Sequence, residues 1–96
     1  MHELSLELFV HAGDPESELA VERLQCLVAE SLGGQAELEV IDVAADPERA
    51  ARAECLVTPT LVRARPAPER RLVGDLSDTR TVLAALGLER VVQGRA

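Results

Sequence analysis

One short pattern occurs twice in the first half of this chain: a strand-like apolar run, an Asp-Pro pair and then a helical stretch. Residues 4–10 alternate apolar and polar side chains, and Asp14-Pro15 follows with a helix N-cap and a proline that a first turn tolerates. Residues 37–43 predict a second strand, and Asp46-Pro47 repeats the helix start. Two strands separated by about 20 residues of helix pair in parallel through a right-handed crossover. The pattern therefore predicts a β-α-β unit.

The helix inside this unit has an apolar stripe and a defined end. The stripe recurs at helical spacing and consists of Ala20, Leu24, Leu27 and Val28. Gly33-Gly34 ends the helix. The strand at 37–43 begins with alternating polarity and finishes apolar on both faces, which is typical of a buried parallel strand.

The second half of the chain predicts a short helix, two strands and a final helix. We expect the helix at about 47–55 and the strands at about 60–65 and 71–73. The final helix is capped by Ser77. Its apolar residues are Val82, Leu83 and Leu86.

The turn Pro66-Ala67-Pro68 is short enough to join the last two strands as an antiparallel hairpin, and Gly74-Asp75 ends the second of them. The predicted order is β-α-β-α-β-β-α, an α/β arrangement typical of the thioredoxin fold. We expect a single domain over residues 1–96, with its structured part spanning about 3–90.

Charge is divided unevenly along the chain. Residues 1–48 hold twelve acidic residues and one arginine, whereas residues 49–96 hold nine arginines and five acidic residues. Lysine is absent and the net charge is −7. The acidic first half disfavours nucleic-acid binding. The polarity suggests charge-steered docking onto a protein partner, although an uneven solvated surface explains it equally well.

The amino-acid composition further limits the kind of protein that this chain can be. Hydrophobic residues make up 47% and charged residues 28%, which is typical of a globular protein. No apolar run approaches the ~18 residues of a membrane span, and Met1-His2-Glu3 lacks the basic region of a signal peptide. Phe9 is the single aromatic residue, so stacking on bases or sugars is disfavoured. We therefore expect a cytoplasmic protein without a membrane or nucleic-acid partner.

The sequence carries no catalytic pattern. Thioredoxin-like enzymes place Cys-x-x-Cys where the first strand meets its helix, but this chain has Gly13-Asp14-Pro15-Glu16-Ser17 there. Cys26 and Cys55 have apolar neighbours and are predicted to be buried, although Cys55 precedes Pro59 closely enough to approach the vacant redox site. His11 is predicted to be a loop residue, since a metal site needs more ligands at close spacing. We expect no catalytic, cofactor or metal site.

Thr58-Pro59-Thr60 precedes the third predicted strand. In thioredoxin folds the proline at this place follows a cis peptide bond, and cis costs an X-Pro bond only about 0.5–1 kcal/mol. The alternative is an ordinary trans proline entering an edge strand.

Several segments together match one family pattern, and the most specific is Gly74-Asp75-Leu76-Ser77 after the proline-rich turn. The other matching segments are Leu8-Phe9-Val10 with Pro15, Leu38 to Val43, Pro47, Leu56 to Leu61, Pro66-Ala67-Pro68, Arg70 to Val73, Asp78 and Val82-Leu83. From Leu4 to about Leu88 the chain resembles the KaiB family of circadian-clock proteins. The sensor domain of the clock histidine kinase SasA shares the expected fold but usually diverges at Gly-Asp-Leu-Ser.

This resemblance implies a non-enzymatic regulator that binds the N-terminal ring of KaiC, a hexameric ATPase. It also implies competition with the SasA sensor for that ring and, in the cyanobacterial clock, sequestration of KaiA. By the family's docking mode, the partner surface is centred on the second helix and the Pro59 loop. The residues that we assign to it are Asp46, Pro47, Glu48, Arg49, Arg52, Leu56, Thr58 and Pro59.

KaiB also switches fold. Its resting form is a tetramer with a rearranged C-terminal half, in the order β-α-β-β-α-α-β, and its binding form is a thioredoxin-like monomer. The resemblance therefore allows a dimeric or tetrameric homo-oligomer. The fold-switch residues that we assign are Pro59, Pro66, Pro68, Gly74, Asp75, Ala85 and Gly87.

Several positions depart from the family pattern. Ala67 replaces one of three consecutive prolines, and Leu19 and Glu22 stand where the first helix is often basic. Glu39 replaces a usual lysine on the strand edge that receives KaiA, which weakens the expectation of KaiA as a partner. Ala85 stands where the family often has glycine. Because alanine favours a helix over glycine by about 0.8–1.0 kcal/mol, we expect the thioredoxin-like form to dominate.

Two other functions remain open at this point. One is a stand-alone thioredoxin-like adaptor resembling the SasA sensor, and the other is a thioredoxin-like redox protein. The first is distinguished by binding to a KaiC-type hexamer, and the second by a thiol-dependent insulin-reduction assay.

Overall fold

The computed structural model describes residues 4–30, 32–33, 35–73, 76 and 78–87. Within these ranges, four strands and three helices follow one another in the predicted order. They are β1 (Leu4–Val10), α1 (Pro15–Glu30), β2 (Ala36–Asp42), α2 (Pro47–Arg52), β3 (Thr60–Arg65), β4 (Arg70–Val73) and α3 (Thr79–Ala85). The thioredoxin-like arrangement predicted from the sequence is confirmed.

The strands form one mixed sheet in the order β2-β1-β3-β4. Strands β1 and β2 are parallel, as predicted for strands joined through α1. Strand β3 is antiparallel to both β1 and β4, so residues 66–69 connect the predicted hairpin. The peptide bonds before Pro59, Pro66 and Pro68 are cis, which confirms the expectation for Pro59.

The larger hydrophobic core lies between one face of the sheet and helices α1 and α3. Alternate residues of β1 face this core, as their period of two requires. Its members from the strands and helices include Leu6, Leu8, Leu24, Leu27, Leu61, Val82, Leu83 and Leu86. Each fully buried leucine contributes about 1.5–3 kcal/mol relative to an exposed one, so most of the burial energy comes from this side.

A smaller core occupies the opposite face of the sheet. Phe9, Ile41 and Val62 are buried there, and Ala53 and Cys55 pack against them. Ala53 and Cys55 follow α2 directly, so α2 and the loop after it cover this face within the described part of the chain. The two faces therefore differ in the length and number of the helices that cover them.

Three local expectations were wrong. Strand β2 lies at the edge of the sheet, and Val40 is 42% exposed instead of buried. Helix α2 ends at Arg52 instead of 55, because Glu54 takes a positive φ of 55° and reverses the chain without a glycine. Cys26 is exposed, because its position beside Leu27 places it on the outer face of α1.

Both ends of the last helix differ slightly from expectation. Asp78 is the N-cap of α3 and accepts a hydrogen bond from the backbone N–H of Arg80 at 3.0 Å. Leu86 is the C-cap, one residue beyond the helix. The predicted cap Ser77 lies outside the described residues, as do Gly74 and Asp75.

Candidate functional site

The predicted partner surface begins at the N-terminus of α2. Asp46 is half-buried and its Oδ1 accepts a hydrogen bond from the backbone N–H of Arg49 at 3.2 Å. Pro47 then occupies the start of the helix, and Glu48 lies in the first turn, where the helix dipole favours an acid. Asp46 thus acts as a cap, while Pro47 and Glu48 are exposed to solvent.

Arg49 joins α2 to the sheet. Its Nη1 and Nη2 donate to the two carboxylate oxygens of Glu39 on β2, each at 3.0 Å, and Nη2 also donates to Glu7 on β1 at 3.3 Å. The two carboxylates lie directly opposite each other in the β1–β2 register. The hydrogen bond from Arg49 lowers the pKa of Glu39 below its ordinary value. Arg49 is therefore engaged within the fold instead of being a free surface cation.

The far end of the predicted surface is exposed and apolar. Leu56 is 92% exposed, Val57 is half-exposed, and Arg52 is exposed without an ion pair to any described residue. We call the exposed residues Pro47, Glu48, Arg52, Leu56 and Val57 the α2–loop surface. A leucine this exposed leaves apolar surface in contact with water, and a partner that buried this surface would gain binding free energy.

Thr58 and Pro59 lie next to this surface but do not form part of it. Pro59 is buried, and Thr58 is half-buried beside the loop between β1 and α1. Together with that loop, Thr58 lines an open cleft of about 420 Å³, whose other lining residues are His11, Ala12, Gly13 and Asp14. This is the end of β1 where a thioredoxin-like enzyme carries its thiols.

Neither cysteine is among the residues that line the cleft. Cys55 packs against the smaller core and its Sγ donates to the carbonyl of Val57 at 3.2 Å, while Cys26 is exposed on α1. The cleft is lined instead by Thr58 and the loop after β1, and in that loop Oδ2 of Asp14 accepts a hydrogen bond from the N–H of Ser17 at 3.3 Å. Ser17 Oγ in turn accepts a hydrogen bond from the N–H of His11 at 3.1 Å.

The predicted fold-switch residues that the structure describes fall in three places. Pro59 precedes β3, whereas Pro66 and Pro68 lie in the hairpin turn at its other end. Ala85 is the last residue of α3, and Gly87 follows its C-cap with a φ of +73°. In this structure Gly87 therefore ends the helix.

Arg63 links the hairpin turn to α3, and sequence analysis did not identify it. It is 6% exposed, and its two terminal nitrogens donate to the carbonyls of Leu86 and Pro68, each at 2.7 Å. Its Nε has no hydrogen-bond partner among the described residues. The sequence did contain one indication of its burial: Arg63 lies two residues after Leu61, which places its side chain on the same buried face of the strand. Its acceptors are backbone carbonyls, which no side-chain pattern reveals.

The described residues provide neither a cluster of metal-ligating side chains nor a membrane-spanning helix. No three His, Cys, Asp or Glu side chains there come together as a potential metal site. None of the described helices combines the length and the apolar character that crossing a membrane requires.

Sequence comparison places this geometry in context. A family model described as the KaiB domain matches residues 7–88. The circadian clock protein KaiB3 of Synechocystis sp. is 37% identical over 94 residues, which cover 98% of this chain and 90% of the relative. The circadian clock oscillator protein KaiB of Microcystis aeruginosa is 40% identical over 83 residues, which cover 86% of this chain and 80% of the relative.

Structural comparison gives two kinds of neighbour. The N-terminal domain of SasA from Synechococcus elongatus superposes with a TM-score of 0.71 at 31% identity, covering 93% of this chain and 88% of that domain. Mitochondrial thioredoxin 3 from Saccharomyces cerevisiae superposes with a TM-score of 0.73, covering 91% of this chain and 79% of the neighbour. At 14% identity, the likeness to this thioredoxin concerns the fold alone.

Proposed function

The chain belongs to the KaiB family, and from that premise we propose that it is a non-enzymatic regulator that binds a KaiC-type hexameric ATPase. It acts in the cytoplasm, in a circadian or clock-related signalling system. The α2–loop surface makes the contact, and a SasA-type histidine kinase competes for the same ring.

The exposure of Leu56 is the observation that best supports this docking site. The loop that bears it is tied to the rest of the fold, because Cys55 packs on the smaller core and Thr60 Oγ1 donates to the carbonyl of Val57 at 2.6 Å. A leucine that is 92% exposed on a loop held at both ends is suited to enter an apolar pocket on a partner, because little of the loop has to be ordered on binding. The absence of both cysteines from the cleft lining supports a binding role over thiol chemistry.

Two exposed leucines on opposite sides of the sheet provide a matched test. Leu56 belongs to the α2–loop surface, whereas Leu19 lies on α1 and is 47% exposed. Truncating an anchor that becomes buried costs more than about 1 kcal/mol, so Leu56→Ala should weaken binding to the hexamer by about tenfold. Leu19→Ala should change the dissociation constant less than about twofold. Equal losses for both variants would remove the basis for this surface.

A charge reversal tests the electrostatic part of the same surface. Arg52→Glu should weaken binding at low ionic strength by about three- to tenfold, mainly through the association rate, and the effect should shrink as salt is added. Arg80→Glu makes the same change in net charge on α3, over the other face of the sheet. We would abandon this surface if Arg52→Glu left the affinity unchanged at low salt.

A second candidate function follows from the likeness to the SasA domain at 31% identity. As an adaptor of this kind, the protein would serve a signalling partner without regulating a KaiC-type ring. Size-exclusion chromatography with and without the hexamer separates the two functions. The regulator comigrates with the ring and displaces a SasA-type sensor from it, whereas the adaptor elutes alone.

We do not extend the proposal to KaiA. The β2 edge, which receives KaiA in the clock complex, carries Glu39 here, and both carboxylate oxygens of Glu39 are held by Arg49. A partner surface complementary to a cation at this edge would instead meet the carboxylate of Glu39, which is already paired with Arg49.

A further inference from the structure

Arg71 on β4 reaches the C-terminal end of α2. Its Nη1 donates to the carbonyl of Glu54 at 3.2 Å, and its Nη2 donates to the carbonyl of Ala53. Ala53 is the C-cap of α2, so both acceptors belong to the negative end of the helix. A guanidinium placed there satisfies carbonyls that the helix itself leaves unpaired.

The turn that Arg71 contacts has an unusual residue at its centre. The N–H of Glu54 donates to the carbonyl of Ala51 at 3.0 Å, and that of Cys55 donates to the carbonyl of Ala50 at 2.9 Å. This pair of bonds is the Schellman motif, in which the central residue is usually glycine. Glu54 takes the required left-handed conformation with a φ of 55°, at a free-energy cost that glycine avoids.

The same turn sets the direction of the loop that carries Leu56. Cys55 turns inward onto the smaller core and Leu56 turns outward to 92% exposure. Beyond Leu56 the chain is held through the bond between Thr60 and the carbonyl of Val57. Arg71 therefore fixes the start of the loop and Thr60 fixes its end.

We infer that Arg71 is a positioning residue for the α2–loop surface: it holds the α2 end and the following loop in the conformation that presents Leu56. This inference rests on the proposed function. Arg71 acts through the carbonyls of Ala53 and Glu54, and it does not itself contact the partner. Without it, the unfavourable conformation of Glu54 is less well supported, and the partner must order the loop on binding.

The first test compares two neighbouring arginines. Arg71→Met removes the hydrogen bonds but keeps an apolar stem, and Arg70→Met makes the same change one residue earlier, on the face of the sheet that α3 covers. Binding to the KaiC-type hexamer should weaken about three- to tenfold for Arg71→Met and less than about twofold for Arg70→Met. In the free protein, amide hydrogen exchange at Glu54 and Cys55 should accelerate about tenfold in Arg71→Met only.

The second test separates positioning from direct contact. Glu54→Gly places glycine at the left-handed position, so it supports the turn without replacing the charge. In the Arg71→Met background it should restore both slow amide exchange and most of the affinity, and alone it should leave binding unchanged. This cycle measures the coupling between the two residues.

Several results would overturn the inference. If Arg71→Met changes neither exchange nor affinity, Arg71 does not hold the turn. If Glu54→Gly restores slow exchange but not affinity, Arg71 contacts the partner directly. If the wild-type chain fails to bind the hexamer, the proposed function is wrong, and the exchange comparison still decides whether Arg71 positions the loop.

Discussion

The two short helices in the described part of the chain both end against an arginine from the β3–β4 hairpin, but in opposite environments. At the end of α3, Arg63 is 6% exposed and donates to the carbonyls of Leu86 and Pro68. At the end of α2, Arg71 is exposed and donates to the carbonyls of Ala53 and Glu54. Because alternate residues of a strand point to opposite faces, one hairpin supplies each helix with a cation.

The residues that follow the two C-caps both have a positive φ, but only one of them is a glycine. Gly87 follows α3 with a φ of +73°, which glycine adopts without a penalty, whereas Glu54 follows α2 with a φ of 55°. The α3 end thus combines burial with a favourable backbone, and the α2 end combines exposure with an unfavourable one. The α3 end is therefore part of the stable core, while the α2 end is held by a balance of small energetic contributions.

The largest expected effect is the loss of Arg63. Arg63→Met leaves the carbonyl of Leu86, in a buried hydrogen bond, and that of Pro68, in a part-buried one, without their donors. An unpaired buried carbonyl costs about 1–3 kcal/mol, partly offset because a charge no longer has to be buried. We expect the free energy of unfolding to fall by about 2–4 kcal/mol, measured by urea denaturation. Arg65→Met removes an exposed arginine from the same strand and should change it by less than about 0.5 kcal/mol.

The same experiment tests which form of the chain dominates. In the wild-type protein, NMR secondary shifts from Val82 to Leu86 should be helical, and in Arg63→Met they should lose helical character. Strand-like shifts in the free wild-type chain would show that the rearranged form prevails. Equal stability of the Arg63 and Arg65 variants would show that the buried hydrogen bonds of Arg63 do not stabilise the fold.

The next effect in size concerns Gly87. An added Cβ there would lie 3.3 Å from Nη1 of Arg63 and 3.4 Å from Nε of Arg70, in addition to the strain of a positive φ. Gly87→Ala should therefore destabilise the fold by about 1–2 kcal/mol. Gly13→Ala is the control, since Gly13 has a φ of +89° but nothing within 4 Å of its added Cβ. A loss no larger than that of the control would show that the arginines accommodate the methyl group freely.

A gain in stability is expected at the other helix end. Glu54→Gly relieves the left-handed conformation of a non-glycine residue, and we expect about 0.5–1 kcal/mol of stabilisation in urea denaturation. Glu48→Gly, in the first turn of the same helix, should instead destabilise by about 0.5–1 kcal/mol. If Glu54→Gly also destabilised the protein, the contrast between the two ends would fail.

The smallest effect is the pH dependence of the Arg49–Glu39 pair. The pKa of Glu39 is lowered from its ordinary value of 4.5 by the hydrogen bond from Arg49. The folded state therefore favours the ionised carboxylate, and this contribution is present above pH 4.5 and lost as the pH falls through the folded-state pKa. Because the side chain is half-exposed, its contribution is below about 1 kcal/mol.

Urea denaturation at about pH 7 and about pH 3.5 checks this expectation. The wild-type protein should lose slightly more stability on acidification than Glu39→Gln does. Glu7 also receives a hydrogen bond from Arg49, so the variant retains part of the network. An identical acid dependence for the two proteins would show that the pair contributes nothing at this exposed position.

Much of the fold follows from local signals in the sequence. The alternation at 4–10, the two Asp-Pro helix starts and the Pro66-Ala67-Pro68 turn predicted the element order and the hairpin, and the structure confirms both. These signals act over a few residues, where sterics and hydrogen bonding decide the conformation directly. The family match likewise depended on contiguous segments, and the comparison confirms it over residues 7–88.

Local sequence signals specify the order of the elements, the Asp46 cap and the family, whereas the contacts of each charged residue depend on the tertiary fold. The side chains of Arg49 and Arg71 find their acceptors at least 10 and 17 residues away along the chain, and Arg63 reaches the carbonyl of Leu86 across 23 residues. A guanidinium can bond any carboxylate or carbonyl that the fold brings near, so its type does not specify its partner. Only the packing of α2 and α3 on opposite faces of one sheet places those oxygens within reach.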